Sequence, residues 1–316
     1  MMKKIWIFII IVSVISCKKD DPIFNTNIDD VEFQMDDINN FWAAYDSYEP
    51  GTSIGSHFQN NYIDKGSRVL KETFNKEGII GNDFNAVFNE YRNFYSAIRD
   101  LTILRSNEKR PAIISAFKRL QNLYPKASFT DVHFAIGRFN NGGRRVDSGV
   151  YVGMEFFVQA NDIPVEELTE WERDNLRTTE GLETIIARET IHTLQNYGDK
   201  GSILGASIFE GAADFLAEIM TDQIIATERF EFGDENIADI WNDFKIAIAN
   251  DGPISDWAYQ ESENNPFGYP PNMGFYVGYQ IVKAFYESKT DKAEAIDAIL
   301  NIQDFNRFLE ESGYQG

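Results

Sequence analysis

The chain has 316 residues, with 29 Lys and Arg against 50 Asp and Glu, a formal charge of −21, and 43 % hydrophobic residues. At roughly 150 residues per domain this length suits about two domains or one large one, and the apolar content excludes wholesale disorder. The acidic balance argues against nucleic acid as a partner, and the single cysteine excludes a disulfide framework or a cysteine-built zinc site. Only His57, His133 and His192 are available for imidazole chemistry.

Lys3 and Lys4 precede an apolar run from Ile5 to Ile15. That run is shorter than the ~20 residues of a membrane span, so residues 1–16 read as a secretory signal peptide. Val14-Ile15-Ser16-Cys17 resembles the lipobox of bacterial lipoproteins, and the only cysteine stands at its conserved place. The resemblance implies cleavage before Cys17, lipidation of its thiol, and a membrane partnership through that anchor, at the outer membrane or cell surface. Cleavage removes two lysines and leaves the mature chain at −23. Lys18-Lys19-Asp20-Asp21-Pro22 reads either as a surface-export tag or as a plain solvated tether, and residues 17–35 are taken as that lipidated tether.

The remaining chain, 36–316, reads as one α+β domain, mostly helical, with a small sheet. Its helical N-terminal part covers 36–125. Asn85 to Leu104 places apolar residues at mixed steps of three and four, and Pro111 opens a second amphipathic run to Leu123. A small sheet is expected within 128–160, with strands at Phe129–Ile136 and Val150–Gln159 around an Asn141-Gly142-Gly143 turn. From 164 to 316 the pattern is helical again, with helices expected over 165–177, 180–197, 207–228, 234–249, 273–288, 290–300 and 303–312. The stretch Asp251–Asn272 holds four of the nine prolines and reads as a long loop. Within it Trp257 is the better groove residue, whereas Trp171 and Trp241 read at least as readily as core.

Two of these helices carry chemistry. With Arg188 at zero and 100° per residue, His192 falls at about 40°, Asn196 at about 80° and Glu189 at about 100°. Leu182, Ile186, Ala187, Ile191 and Leu194 fill the remaining arc, with Ile185 at about 60° the one apolar intrusion, so a buried helix shows a narrow polar window. In the next helix Glu210, Asp214, Glu218 and Thr221 form one acidic stripe against Ile208, Phe209, Leu216 and Met220. Buried charges need partners, so the two seams are expected to face each other.

These segments resemble a gluzincin-type zinc peptidase, and more closely the predicted zinc-dependent protease family DUF2268, many of whose members are lipoproteins. Tyr62 to Ser67, Leu123 to Gly137, the Gly142-Gly143 loop, the strand ending near Glu155 and Gly274 to Tyr279 extend the resemblance over roughly residues 40 to 315. In that family the first helix reads HExxH and the second supplies a ligand from an E-G-x-x-D pattern. The resemblance implies a gluzincin-like fold with the sheet beside the HExxH-type helix. It makes His192 and Glu210 zinc ligands, Glu189 the general base and Asp214 a carboxylate just behind the ligands. Tyr276, with Tyr279 beside it, is a candidate transition-state donor or a core residue.

The departure is Arg188, at the position of the first histidine. A guanidinium is always protonated and cannot coordinate a cation. His133 is a candidate replacement ligand or a packing residue, and His57 reads as an exposed helix-start residue. In place of the cation, Arg188 suits neutralisation of Glu189, Glu210 or Asp214. The expectation is a cell-envelope lipoprotein with a degenerate zinc site and a binding role toward a peptide, a glycan or an envelope protein. The alternative is an active zinc-dependent hydrolase with an altered ligand set and Glu189 as base.

Overall fold

Ser67, Ser202, Asp291 and Asp304 each stand one residue before a helix, and each side chain accepts an N–H of the first turn. Polar caps therefore set several helix starts ahead of the first apolar residue of the run. The computed structural model describes residues 24–260 and 266–316; the signal peptide, Cys17 and the charged run after it lie outside the described residues.

The architecture is α+β and mostly helical. The first part holds α1 (Asp36–Asp46), α2 (Ile54–Phe58), α3 (Arg68–Glu77), α4 (Asn85–Asn89), α5 (Arg92–Glu108) and α6 (Arg110–Leu123). The sheet is built from β1 (Phe33–Gln34), β2 (Val132–Ala135), β3 (Arg144–Val146) and β4 (Gly149–Gly153), in the order β1-β2-β4-β3. β1, β2 and β4 run parallel, and β3 returns antiparallel to β4 at the edge. The C-terminal part holds α7 (Glu170–Asn175), α8 (Leu182–Leu194), α9 (Ile203–Thr221), α10 (Thr227–Ala249), α11 (Met273–Ser288), α12 (Lys292–Leu300) and α13 (Phe305–Ser312).

Several boundaries differ from the sequence expectation: the run Asn85–Leu104 breaks between α4 and α5, the strand expected to Gln159 ends at Gly153 before a 3-10 turn over Met154–Phe157, the helix expected over 165–177 is confined to Glu170–Asn175, and the one expected over 234–249 begins at Thr227. Three further differences have identifiable reasons. Residues 25–34, read as part of the tether, belong to the fold: Asn25 bridges Phe129, β1 pairs with β2, and Ile28, Val31 and Phe33 are buried. A two-residue strand is too short to print a period. The helix expected over 180–197 stops at Leu194, because Gln195 turns extended and ties its amide to the Phe209 carbonyl (2.7 Å). The helix expected over 207–228 starts earlier, on the Ser202 cap, and stops at Asp222, which adopts a left-handed φ of 59°.

α9 is the central element. Fifteen of its nineteen residues are buried, and it packs between α8 and α11. The contact with α11 is made through glycines. A Cβ on Gly278 would land on the Ser207 carbonyl, and one on Gly211 would land on the Tyr279 backbone nitrogen. The two backbones approach closely only because both positions lack a side chain. The other flank of α9 carries the acidic stripe toward α8, and β3 also packs against α8.

Candidate functional site

Arg188 and His192 lie one turn apart on α8, and Glu210 and Asp214 lie one turn apart on α9. A one-turn step separates side chains by about 5–6 Å, so one guanidinium can reach both carboxylates. It does. Arg188 Nε donates to Asp214 Oδ1 (2.7 Å), Nη2 donates to Glu210 Oε2, and Nη1 donates to Glu189 Oε1 (2.9 Å). Only 18 % of the Arg188 side chain is exposed, and its carboxylate partners are buried. The two polar seams thus meet as the sequence suggested, and all three candidate carboxylates share the same cation.

The other side chains of the cluster are fixed as firmly. Glu189 Oε2 accepts the Arg145 backbone N–H (2.8 Å) from the sheet edge, so both carboxylate oxygens are engaged. The Gln195 amide is oriented by its donation to Phe209, so its Oε1 accepts from His192 Nδ1 (2.6 Å). This leaves Nε2 of His192 turned toward Glu210 Oε2, at 3.4 Å. Phe209 stacks on the imidazole with ring centres 4.6 Å apart.

Electrostatics follow from burial and pairing. Burial works against ionising Glu210, but Arg188 outweighs it and, with His192, brings the carboxyl down to about 2. Asp214 goes the other way: burial raises it, and Arg188 and Arg229 pull it only part of the way back. For Arg188 burial favours loss of the proton, but Asp214, Glu210 and Glu189 together hold it on firmly. Arg229 keeps less support; burial lowers its proton affinity, with Asp214 opposing.

A cavity of about 370 Å³ opens beside Arg188, walled by Phe156, Trp171 and Phe275 and bordered by Glu189, Asp214 and Arg229. Trp171 is 56 % exposed, on a short helix that starts with a reciprocal Thr169–Glu172 capping box. Trp257 is fully buried, its ring edge-on to Phe244 at 4.9 Å. The expected roles of these two tryptophans are therefore exchanged: the proline-rich segment turns Trp257 into the core, while Trp171 lines the cavity.

Other expected residues fall elsewhere. Tyr276 is buried and its hydroxyl donates to Asp234 Oδ1 (2.7 Å), so it takes no part in the cluster. Asn196 lies beyond the end of α8, with its N–H on the Leu300 carbonyl. Glu218 leaves the acidic stripe for the Tyr279 hydroxyl, and Thr221 receives the Thr184 hydroxyl. The carboxylates that act on His133 are Asp37, Asp36 and Glu32, all outside the α8–α9 cluster. His57 is half-buried rather than exposed, with Nε2 on the Ala44 carbonyl (2.8 Å).

Sequence reasoning missed three contributors. Tyr259, at φ 60°, lies against Glu210, whose charge adds to burial in raising the phenol. Arg229 arrives from the first turn of α10, and the Arg145 N–H arrives from the sheet edge. None carries a local signal; each depends on an element brought in from elsewhere in the chain.

Among the described residues no group of three or more His, Cys, Asp or Glu side chains is arranged to hold a metal ion. The residues that are present do not fit a zinc centre. A catalytic zinc needs three protein ligands and an open position, whereas a guanidinium fills the space between Glu210, Asp214 and Glu189. No protein-family model, curated protein or solved structure matches the chain.

Proposed function

We propose that this chain is a lipid-anchored cell-envelope protein, with a fold like that of the DUF2268 zinc peptidases, in which an arginine has closed the metal site. On this reading it binds a peptide, a glycan or an envelope protein and does not hydrolyse it. The supporting observation is the triple ion pair of Arg188. A fixed positive charge stands at the position of the first zinc-binding histidine and satisfies the carboxylates that a cation would otherwise neutralise.

Two details favour descent from a metal site over ordinary surface pairing. His192 gives its Nδ1 proton to Gln195 and turns Nε2 toward Glu210, the arrangement a ligating histidine uses. Glu189 stands where the general base belongs, but Arg188 and the Arg145 N–H engage both its oxygens. A base must have a free oxygen within reach of the water it deprotonates.

Isothermal titration with zinc tests the reading. The wild type should take up none. Arg188→His removes the interfering charge and supplies the third ligand, so zinc should bind it one to one and raise its melting temperature. Tight zinc binding by the wild type would transfer the argument to the hydrolase alternative. Failure of Arg188→His to bind would refute the ligand assignment of His192 and Glu210.

A further inference from the structure

We propose that the cavity beside Arg188 binds a carboxylate carried on a hydroxylated ring, the chemistry of a uronic-acid sugar. The proposal rests on the reading that Arg188 has taken the metal position, and it names the ligand of the site so formed.

Arg229 carries the argument. Only 17 % of its side chain is exposed, yet its one hydrogen bond among the described residues runs from Nε to the Pro271 carbonyl (3.2 Å). Its nearest carboxylate atom, Asp214 Oδ2, lies 3.9 Å from Nη1, beyond hydrogen-bond range. Asp214 Oδ2 is itself buried without a hydrogen-bond partner. An under-used donor fork and an orphaned acceptor therefore stand side by side at the cavity wall, each costly to leave unmatched.

A planar guanidinium edge matches a carboxylate in two parallel bonds. A hydroxyl next to that carboxylate would supply the donor that Asp214 Oδ2 lacks. Arg177, Arg188 and Arg229 against Glu189 and Asp214 leave the lining with one net positive charge, which matches a monoanion with neutral hydroxyls better than a doubly charged phosphate. Trp171, Phe156 and Phe275 supply apolar surface for the C–H face of a ring, and the volume falls in the ordinary range for small-ligand sites.

The test is titration calorimetry on the purified, chelator-treated full-length chain. Sodium glucuronate should bind, and glucose, glutarate and inorganic phosphate should each bind at least tenfold more weakly. Arg229→Gln should lose at least tenfold in glucuronate affinity. Trp171→Ala, at an exposed position, should lose several-fold with an unchanged melting temperature, and it decides the matter if Arg229→Gln does not fold. Glutarate equal to glucuronate, phosphate tighter than glucuronate, or an unaffected Trp171→Ala would overturn the assignment. A wild type that takes up no zinc and also gives no glucuronate heat defeats this inference alone. Glucuronate binding that appears only with added zinc defeats the reading beneath it.

Discussion

Arg188 is the residue on which most charge depends. Three carboxylates within its reach are buried, and removing the guanidinium leaves Asp214 with Arg229 at 3.9 Å and Glu210 with the His192 imidazole at 3.4 Å, neither of which replaces its three close contacts. Arg188→Ala should lower unfolding stability by about 3–5 kcal/mol, the usual result of orphaning a buried ion-pair partner. Adding Glu210→Gln should restore part of the loss in the same denaturant titration. A melting curve unmoved by Arg188→Ala would show that the cluster is not load-sharing. Glu155 is another buried carboxyl, outside this cluster, with no cation among its partners in the described residues. It accepts the Gly137 and Phe139 N–H groups, and burial still pushes it up to about 7. A raised carboxyl binds its proton more tightly in the folded state, so the stability it contributes is complete below its unfolded value of 4.5 and is lost as pH rises to about 7. At ~1.4 kcal/mol per pH unit the effect is roughly 3 kcal/mol. Glu155→Gln should flatten that stretch of the stability profile. Glu210, with its depressed value, acts in the opposite sense, losing its contribution below pH 4.5 as pH falls toward about 2. Its effect stays separable from that of Glu155 because the two windows do not overlap.

At the scale of elements, the α9–α11 contact holds the acidic stripe in place. Gly211, Gly274 and Gly278 let the two helices come together at Ser207 and at the Tyr279 backbone, and Gly274 also leaves room for the Trp257 carbonyl of the segment before α11. The spacing of Gly274 and Gly278 already suggested such close packing on a soluble helix. Gly278→Ala should force the helices apart and cost about 3 kcal/mol, at the upper end of overpacking. The shift should also reach Arg188, because α9 carries Glu210 and Asp214 as one rigid body. Zinc uptake by the Arg188→His protein should therefore weaken when Gly278→Ala is added. Undiminished uptake would show that the α8–α9 geometry does not depend on α11. The sheet acts on the site through its edge: β3 gives the Arg145 N–H to Glu189, and Glu77 holds the preceding turn by accepting from Asn140 (2.8 Å), Asn141 (3.1 Å) and Arg144 (2.5 Å).

For the molecule as a whole, an excess of carboxylates covers a fold whose arginines include two drawn into one buried cluster. Net charge of this size favours solubility and discourages polyanionic partners. On the proposed lipoprotein reading, attachment to a membrane depends on lipidation of Cys17. Cys17→Ser should move the protein from the membrane fraction to the soluble fraction or leave it unprocessed at its signal, as read by fractionation and intact mass. A variant that partitions with membranes as the wild type does would end the lipoprotein reading. No helix among the described residues is long and apolar enough to cross a bilayer.

What the sequence determined by itself is local. The period of α8 and α9 placed Arg188, Glu189, Glu210 and Asp214 on narrow polar faces, and the scarcity of partners for buried charge implied that those faces meet. The same reasoning found β2 and β4 and most of the helices, but it ran α4 and α5 together and extended β4 through the 3-10 turn at Met154–Phe157. Tertiary structure alone decided the rest. Trp257 and Trp171 sit in sequence contexts that do not say which faces the core; the path of the proline-rich segment buries the one and leaves the other on the cavity. β1 and β3 are too short to be read from a period, yet β1 turns the expected tether into part of the sheet, and β3 supplies the N–H that fixes Glu189. Arg229 and Tyr259 reach the cluster from separate elements across the fold. Hydrophobic periodicity reports which face of one element is buried, but a site is made where several elements converge, and that convergence is set by packing between residues distant in the chain.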